Sequence, residues 1–523
     1  MPEGRFADGR HAGVLVPLFS IPSRVSWGIG EIPDLPRFAR WLDEAGCDFV
    51  QLLPVNEMAD GQNSPYSALS AMAIDPVFIS PSAVPEIQAL GGEALLTAAE
   101  REALARARAQ SSIDYAAVRA VKGRALRAAF DRFHEREWHA KTERARRMRQ
   151  FAGRERWWLD EYALFRALHA KHDGRYWTEW DAPLRGRAPA ALQAARAELE
   201  REILFYTYLQ WIAAEQWDAA RDATEAGVFG DFPFMVSGDS ADVWSHQNNF
   251  RLDASVGAPP DAFSETGQDW GFPAYRWREI AAGGFRWLAA RARRYAALYD
   301  GYRVDHVVGF FRTYVREQAG TAAFVPPQEH DQIVQGEHVL DVLSASGARL
   351  IAEDLGVIPQ FVRDVLARLQ IPGYKVLRWE RKWDEEGQPF KNPAEYPPSS
   401  VATSGTHDTE TLAEWWDAAS IDDRRAVAAI ACSAPPGCDP AAPFGDATRD
   451  AILQALYASS SEIVLLPIHD VFGWRDRVNT PAVISQENWT WRLPWPVEDL
   501  ISQPEARARA AFSRALVVRS DRQ

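Results

Sequence analysis

The sequence predicts an α/β protein built as a (β/α)8 TIM barrel with helical insertions. Three observations carry that prediction. Eight short apolar runs rich in Val, Leu, Ile and Phe alternate with stretches of helical periodicity. The first two runs are linked through a helix by short connections, which makes a βαβ unit and hence parallel strands. Acidic residues stand at the C-terminal ends of several runs, where such a barrel places its chemistry.

The first strand is Gly13-Val-Leu-Val-Pro-Leu-Phe19, a compact apolar run. Residues 32–47 follow with Leu35, Phe38, Trp41 and Leu42 at helical spacing, and Gly46 is placed to cap that helix. The second strand is Asp48-Phe-Val-Gln-Leu-Leu-Pro-Val55, followed by a Ser/Pro-rich loop that carries Tyr66. Loops at the ends of parallel strands are where sites are built. Residues 81–200 change character, rich in Ala, Arg and Glu at helical spacing, and predict a helical insertion. Its arginines are interleaved with acids, which describes a solvated helix surface rather than a nucleic-acid face. A long helix continues over 200–225.

Alternation then resumes. The predicted strands are 228–236, 301–310, 349–356, 374–379, 400–405 and 462–467, completing eight. A long loop is predicted over 237–275. Helices are predicted over 276–298, 331–346, 359–369 and, loosely, 421–458. The chain therefore divides into 1–80 (the first two strands and the loop after them), 81–200 (the insertion) and 201–523 (the rest of the barrel). No internal repeat or low-complexity segment interrupts it.

Composition narrows the function. A net charge of -14 argues against a nucleic-acid partner. Three cysteines, Cys47, Cys432 and Cys438, supply neither a disulfide framework nor a zinc set and suit a reducing cytoplasm. No signal peptide or membrane span is evident. The 21 tryptophans serve equally as core residues or as platforms for sugar rings.

The fourth strand, Gly301-Tyr-Arg-Val-Asp-His-Val-Val-Gly-Phe310, is interrupted by Arg303 and Asp305. Two apart on a strand, they share a face. They form either a structural ion pair or a cleft-facing pair in which the arginine keeps the aspartate ionised. The predicted strand ends bring Asp305, Glu353 and Asp408 to one barrel mouth. Two carboxylates across a sugar bond, one an acid and one a nucleophile or base, are what glycoside chemistry requires. Neighbouring anions would keep one of them protonated, and Glu353 has the longest reach. Asp354 and His306 should point to the opposite face from their neighbours. His407 reads either as a donor to a sugar hydroxyl or as a satisfied loop histidine.

Several segments resemble the amylomaltase or disproportionating-enzyme type of 4-alpha-glucanotransferase, glycoside hydrolase family 77. They are Ser64-Pro-Tyr-Ser-Ala-Leu-Ser-Ala-Met-Ala73, Gly257-Ala-Pro-Pro-Asp-Ala-Phe-Ser-Glu-Thr-Gly-Gln-Asp-Trp-Gly271, Arg303-Val-Asp-His306, Ala352-Glu-Asp-Leu-Gly356, Gly405-Thr-His-Asp408 and Glu487-Asn-Trp-Thr-Trp-Arg-Leu-Pro494. The resemblance implies Asp305 as nucleophile, Glu353 as general acid/base and Asp408 as transition-state stabiliser. It implies Tyr66, Asp261, Trp270, Arg303, His407 and Asn479 as residues that hold the glucan or support the site, with 237–275 as a glucan-binding loop. It implies α-1,4-glucans and maltooligosaccharides as partners and no cofactor or metal, because one α-1,4 bond replaces another. Val307-Val308 stand where the family usually has Phe-Arg, and 56–63 lacks its usual Pro-Thr-Gly. The rivals are an amylase-like α-1,4-glucan hydrolase, a metal-dependent barrel hydrolase using His306 and His407, and an inactive glucan-binding scaffold.

Overall fold

Eight parallel strands close into a barrel in the computed structural model, which describes residues 9–59, 61–260, 267–317, 320–431, 438–481, 483 and 485–522. In chain order the strands are β1 His11–Leu15, β2 Phe49–Gln51, β3 Gly227–Phe232, β4 Phe250–Ala258, β5 Gln268–Tyr275, β6 Gly301–Val304, β7 Thr313–Glu317, β8 Ala322–Val325, β9 Arg349–Ala352, β10 Gly373–Val376, β11 Ser400–Thr403 and β12 Ile463–Pro467. The barrel order is β1-β12-β11-β10-β9-β6-β3-β2, and each of the eight predicted runs supplies one strand. Strands buried on both faces read as near-continuous apolar runs, which is why all eight are visible in the sequence. Gly301 opens β6 where a Cβ would fall 2.7 Å from the Arg349 carbonyl oxygen, so the close approach to β9 needs a glycine.

The helix Leu35–Ala45 ends at Gly46 in the left-handed conformation, as its sequence predicts. The C-terminal helix Pro504–Arg519 lies against it, and Trp41 Nε1 donates to the Ala506 carbonyl at 2.9 Å. Residues 85–198 are helical in large part, with Tyr115–Phe133 and Glu143–Lys171 the longest helices. Buried Glu57, in the segment after β2, ties this region to the barrel by accepting from Arg166 Nε at 3.0 Å and from Tyr162 Oη at 2.5 Å.

Several expectations are corrected. The fourth predicted strand stops at Val304, not at residue 310, because the chain turns at Asp305-His306-Val307 and re-enters a short helix at Val308–Phe311. The region 237–275 is not one loop: β4 and β5 pair antiparallel there and join β7 and β8 in a four-stranded sheet of order β5-β4-β7-β8. The helix predicted over 276–298 is two helices, Trp277–Ala282 and Arg286–Leu298, parted where Gly284 and Phe285 take positive φ of 66° and 55°. Cys47 is buried and free, but Cys438 is disulfide-bonded, so the chain has a bridge that the cysteine count alone did not suggest. Among the described residues no helix is long and apolar enough to cross a membrane.

Candidate active site

Register builds the site. Arg303 on β6 stands opposite Asp231 on β3 and Ile351 on β9, and Val304 stands opposite Phe232 and Ala352. One residue further, Asp305 and Glu353 leave their strands side by side at the C-terminal end of the barrel. Their backbones remain laddered: Asp305 N–H donates to the Phe232 carbonyl and Glu353 N–H to the Val304 carbonyl, both at 3.0 Å.

Arg303 is the hub. It is buried, and its Nη1 donates to both carboxylate oxygens of Asp231 at 2.8 Å. Its Nη2 lies 2.9 Å from Asp305 Oδ1 and 3.8 Å from Glu353 Oε2. The pairing of Arg303 with Asp305 anticipated from their shared face is therefore present. Asp231, fully buried at 0% exposure, is a partner that the sequence reading missed. Its signal was available: a lone acid in the apolar run Val228-Phe-Gly-Asp-Phe-Pro-Phe, one step before that strand's end. A guanidinium taken out of water needs such a partner.

Glu353 is 12% exposed at its side chain. Burial pushes its carboxyl up to about 7, with Asp305 adding to the rise, while Arg303 and two backbone N–H groups oppose it. Those donors are His306 N–H to Oε2 at 2.8 Å and Leu355 N–H to Oε1 at 3.0 Å. Burial, rather than neighbouring anions as expected, is the larger cause. His306 aims its N–H by adopting φ of 44°, a left-handed conformation uncommon for a side-chain-bearing residue. Asp354 accepts from Tyr374 N–H at 2.7 Å, whereas His306, also expected to face away from its neighbour, borders the same cavity as Asp305 because β6 has ended at Val304.

Asp408 stands not at the end of β11 but in the turn that follows it, its side chain 42% exposed. Against the opposing effect of burial, His407, Asn479 and Arg303 hold its carboxyl down to about 2. Asn479 Nδ2 donates to Oδ1 at 2.6 Å, and His407 Nε2 lies 3.1 Å from Oδ2. Tyr66 Oη donates to Asp231 Oδ2 at 2.6 Å and lies 2.9 Å from the same His407 nitrogen. Both neighbours of His407 Nε2 can then only accept, so that nitrogen carries the proton. His407 and Asn479 thus face Asp408 rather than open space. The Tyr66 and His407 rings stack at 5.6 Å and 14°, with Trp489 5.7 Å from each.

Trp270 lies on β5, not on a loop, and its ring meets His306 edge-on at 5.0 Å. Tyr66, Trp270, Arg303, Asp305, Glu353 and Asp408 all line one cavity of about 1480 Å3. Asp261 falls outside the described residues. Among the described residues no three His, Cys, Asp or Glu side chains group as a metal site. The metal rival also needs His306 and His407 together, but His306 packs on Trp270 while His407 packs on Tyr66 and Trp489.

A parallel barrel with carboxyls converging at its mouth, one pushed up to about 7 by burial and another held down to about 2, over an aromatic-lined cavity, is the architecture of a carboxylate-dependent glycoside-processing enzyme. The chain belongs to the 4-alpha-glucanotransferase family, whose profile matches residues 16–498. It is 31% identical over 508 residues to the 4-alpha-glucanotransferase of Chlamydia pneumoniae, covering 93% of this chain and 92% of that one. It is 32% identical over 517 residues to the enzyme of that name from Thermus thermophilus, covering 92% and 95%. The solved amylomaltase from Streptococcus agalactiae in complex with acarbose superimposes with a TM-score of 0.82 at 25% identity, over 98% of this chain and 99% of that one. The protein is a 4-alpha-glucanotransferase, and the hydrolase rival is not favoured.

Proposed function

We propose that the protein moves α-1,4-glucan segments between maltooligosaccharides by a retaining double displacement, with Asp305 as nucleophile and Glu353 as acid/base. Asp305 attacks the anomeric carbon as the glycosidic C–O bond breaks, and Glu353 delivers its proton to the departing 4-oxygen. The glycosyl group is then bound covalently to Asp305. An acceptor 4-hydroxyl attacks the same carbon, gives its proton to Glu353 and releases the Asp305 carboxylate. Asp408, ionised and exposed to the cavity, stabilises the positive charge that develops on the sugar ring. His407, Asn479 and Tyr66 hold Asp408 and the Arg303–Asp231 pair in position, and Trp270 offers a face to the glucan. Asp261 is carried over on the resemblance alone.

The observation that carries this reading is the division of labour around Arg303. One guanidinium nitrogen contacts Asp305 directly and Glu353 only at 3.8 Å, while burial keeps Glu353 near pKa 7. A buried carboxyl with a raised pKa beside one that the arginine contacts directly suits one acid and one nucleophile. Incubation with pure maltotriose tests the reading. Transfer yields a ladder of longer maltooligosaccharides alongside glucose and maltose, with little gain in total reducing ends, whereas hydrolysis would yield only shorter sugars. We place the activity in the cytoplasm on the low cysteine count. The bridge at Cys438 is the contrary feature, and thiol titration of the native protein from reducing lysate tests the placement.

A further inference from the structure

The cavity that holds the carboxylates extends well beyond them. Its volume of about 1480 Å3 exceeds the roughly 300–1,000 Å3 of ordinary small-molecule sites. One wall runs along the segment after β10 to Trp379 and Trp383, which are 44% and 60% exposed. Exposed indoles on the wall of a catalytic cavity are apolar surface that a ligand can cover.

The segment that presents Trp383 is a braced hairpin. Arg381 and Phe390 form an antiparallel bridge, Lys382 N–H donates to the Pro389 carbonyl at 2.8 Å, and Lys391 N–H donates to the Glu380 carbonyl at 2.9 Å. The Arg381 guanidinium sits 3.9 Å over the Phe390 ring and pairs with Asp423 at 2.7 Å. Lys382 reaches Glu395 at 3.1 Å. These side chains have partners within the protein, while the Trp383 indole remains open to solvent. Glu380, Lys391 and Glu395 line the same cavity and carry hydrogen-bonding groups.

We propose that Trp383 is a platform on which a remote glucosyl ring of a long α-1,4-glucan stacks as the chain leaves the catalytic carboxylates. The inference rests on the glucan-transfer reading above. A glucosyl ring has an apolar C–H face that an indole can cover, and hydroxyls at its edge that the flanking charged groups can meet. A chain running out of the site follows a wall, and Asp305 and Trp383 border the same cavity. Because the hairpin is braced, little ordering is needed at binding. Trp383 would therefore act on chain length and leave the bond-breaking step alone.

The test compares wild type, Trp383→Ala and Trp383→Phe on maltotriose and on a long linear maltodextrin. The ratio of kcat/KM, long over short, should fall about fivefold in Trp383→Ala, through KM, and recover largely in Trp383→Phe. An unchanged ratio overturns the proposal, as does an equal loss on both substrates in a folded protein, which would mark Trp383 as structural. Calorimetric binding of the long maltodextrin to Asp305→Asn, with and without Trp383→Ala, decides the question without turnover. Equal affinities overturn the platform, and a weaker double variant supports it. If wild type transfers nothing from either sugar, the catalytic reading fails, and the calorimetry still decides the platform.

Discussion

At Glu353, burial and Asp305 favour the neutral acid, while Arg303 and two backbone donors favour the anion; the balance lies near 7. Two outcomes follow from its sign. Turnover needs the proton on Glu353, so kcat/KM should fall as pH rises through about 7. A pH–rate profile that stays flat to well above 8 would contradict the assignment. The same shift bears on stability. An unfolded glutamate titrates near 4.3, so the neutral form favoured by the fold gives stability that is complete below that pH and lost as pH rises through about 7. Glu353→Gln removes the loss. Its unfolding free energy from urea titration at pH 8 should exceed that of wild type by on the order of 1–3 kcal/mol, and the gap should close below pH 5. A variant less stable than wild type at both pH values would mean the side chain is held for packing rather than strained by charge.

At the level of elements, the β3–β6–β9 register decides which groups meet. Asp231 and Arg303 face each other because their strands pair at those residues, and the arginine is buried with them. Asp231→Ala leaves a buried guanidinium without its bidentate partner and should cost about 3–5 kcal/mol in urea unfolding, besides impairing turnover. A loss below 1 kcal/mol would mean that Asp305 and Glu353 compensate. The antiparallel sheet sets a second test. Trp270 is carried on β5 and meets His306 at the cavity wall. If its ring favours a sugar acceptor over water, Trp270→Ala should raise the share of hydrolysis on maltotriose. Proportionate loss of both activities, with circular dichroism unchanged, would mean that the ring only anchors β5. The barrel strands were legible because burial on both faces leaves a continuous apolar run. β4 and β5 were not, because β4 alternates buried and exposed positions irregularly and its pairing with β5 shifts register. The break at Gly283-Gly284 had a visible signal, since two adjacent glycines weaken a helix.

Across the whole molecule, the site joins segments that no local pattern connects. Tyr66 reaches Asp231 over 165 positions and His407 over 341. Asp305, Glu353 and Asp408 were legible because strand ends in a barrel converge by topology. That Asp408 is gripped by Asn479 and His407, and that a fourth acid holds Arg303, are facts of packing that appear only when the barrel closes. Mass spectrometry of the protein after reaction with a slow fluorinated glucosyl donor identifies which carboxylate bonds to the sugar. A glycosyl adduct is expected on the peptide that contains Asp305, absent in Asp305→Asn, whose thermal transition stays close to wild type. An adduct on the peptide containing Glu353 or Asp408 would contradict it.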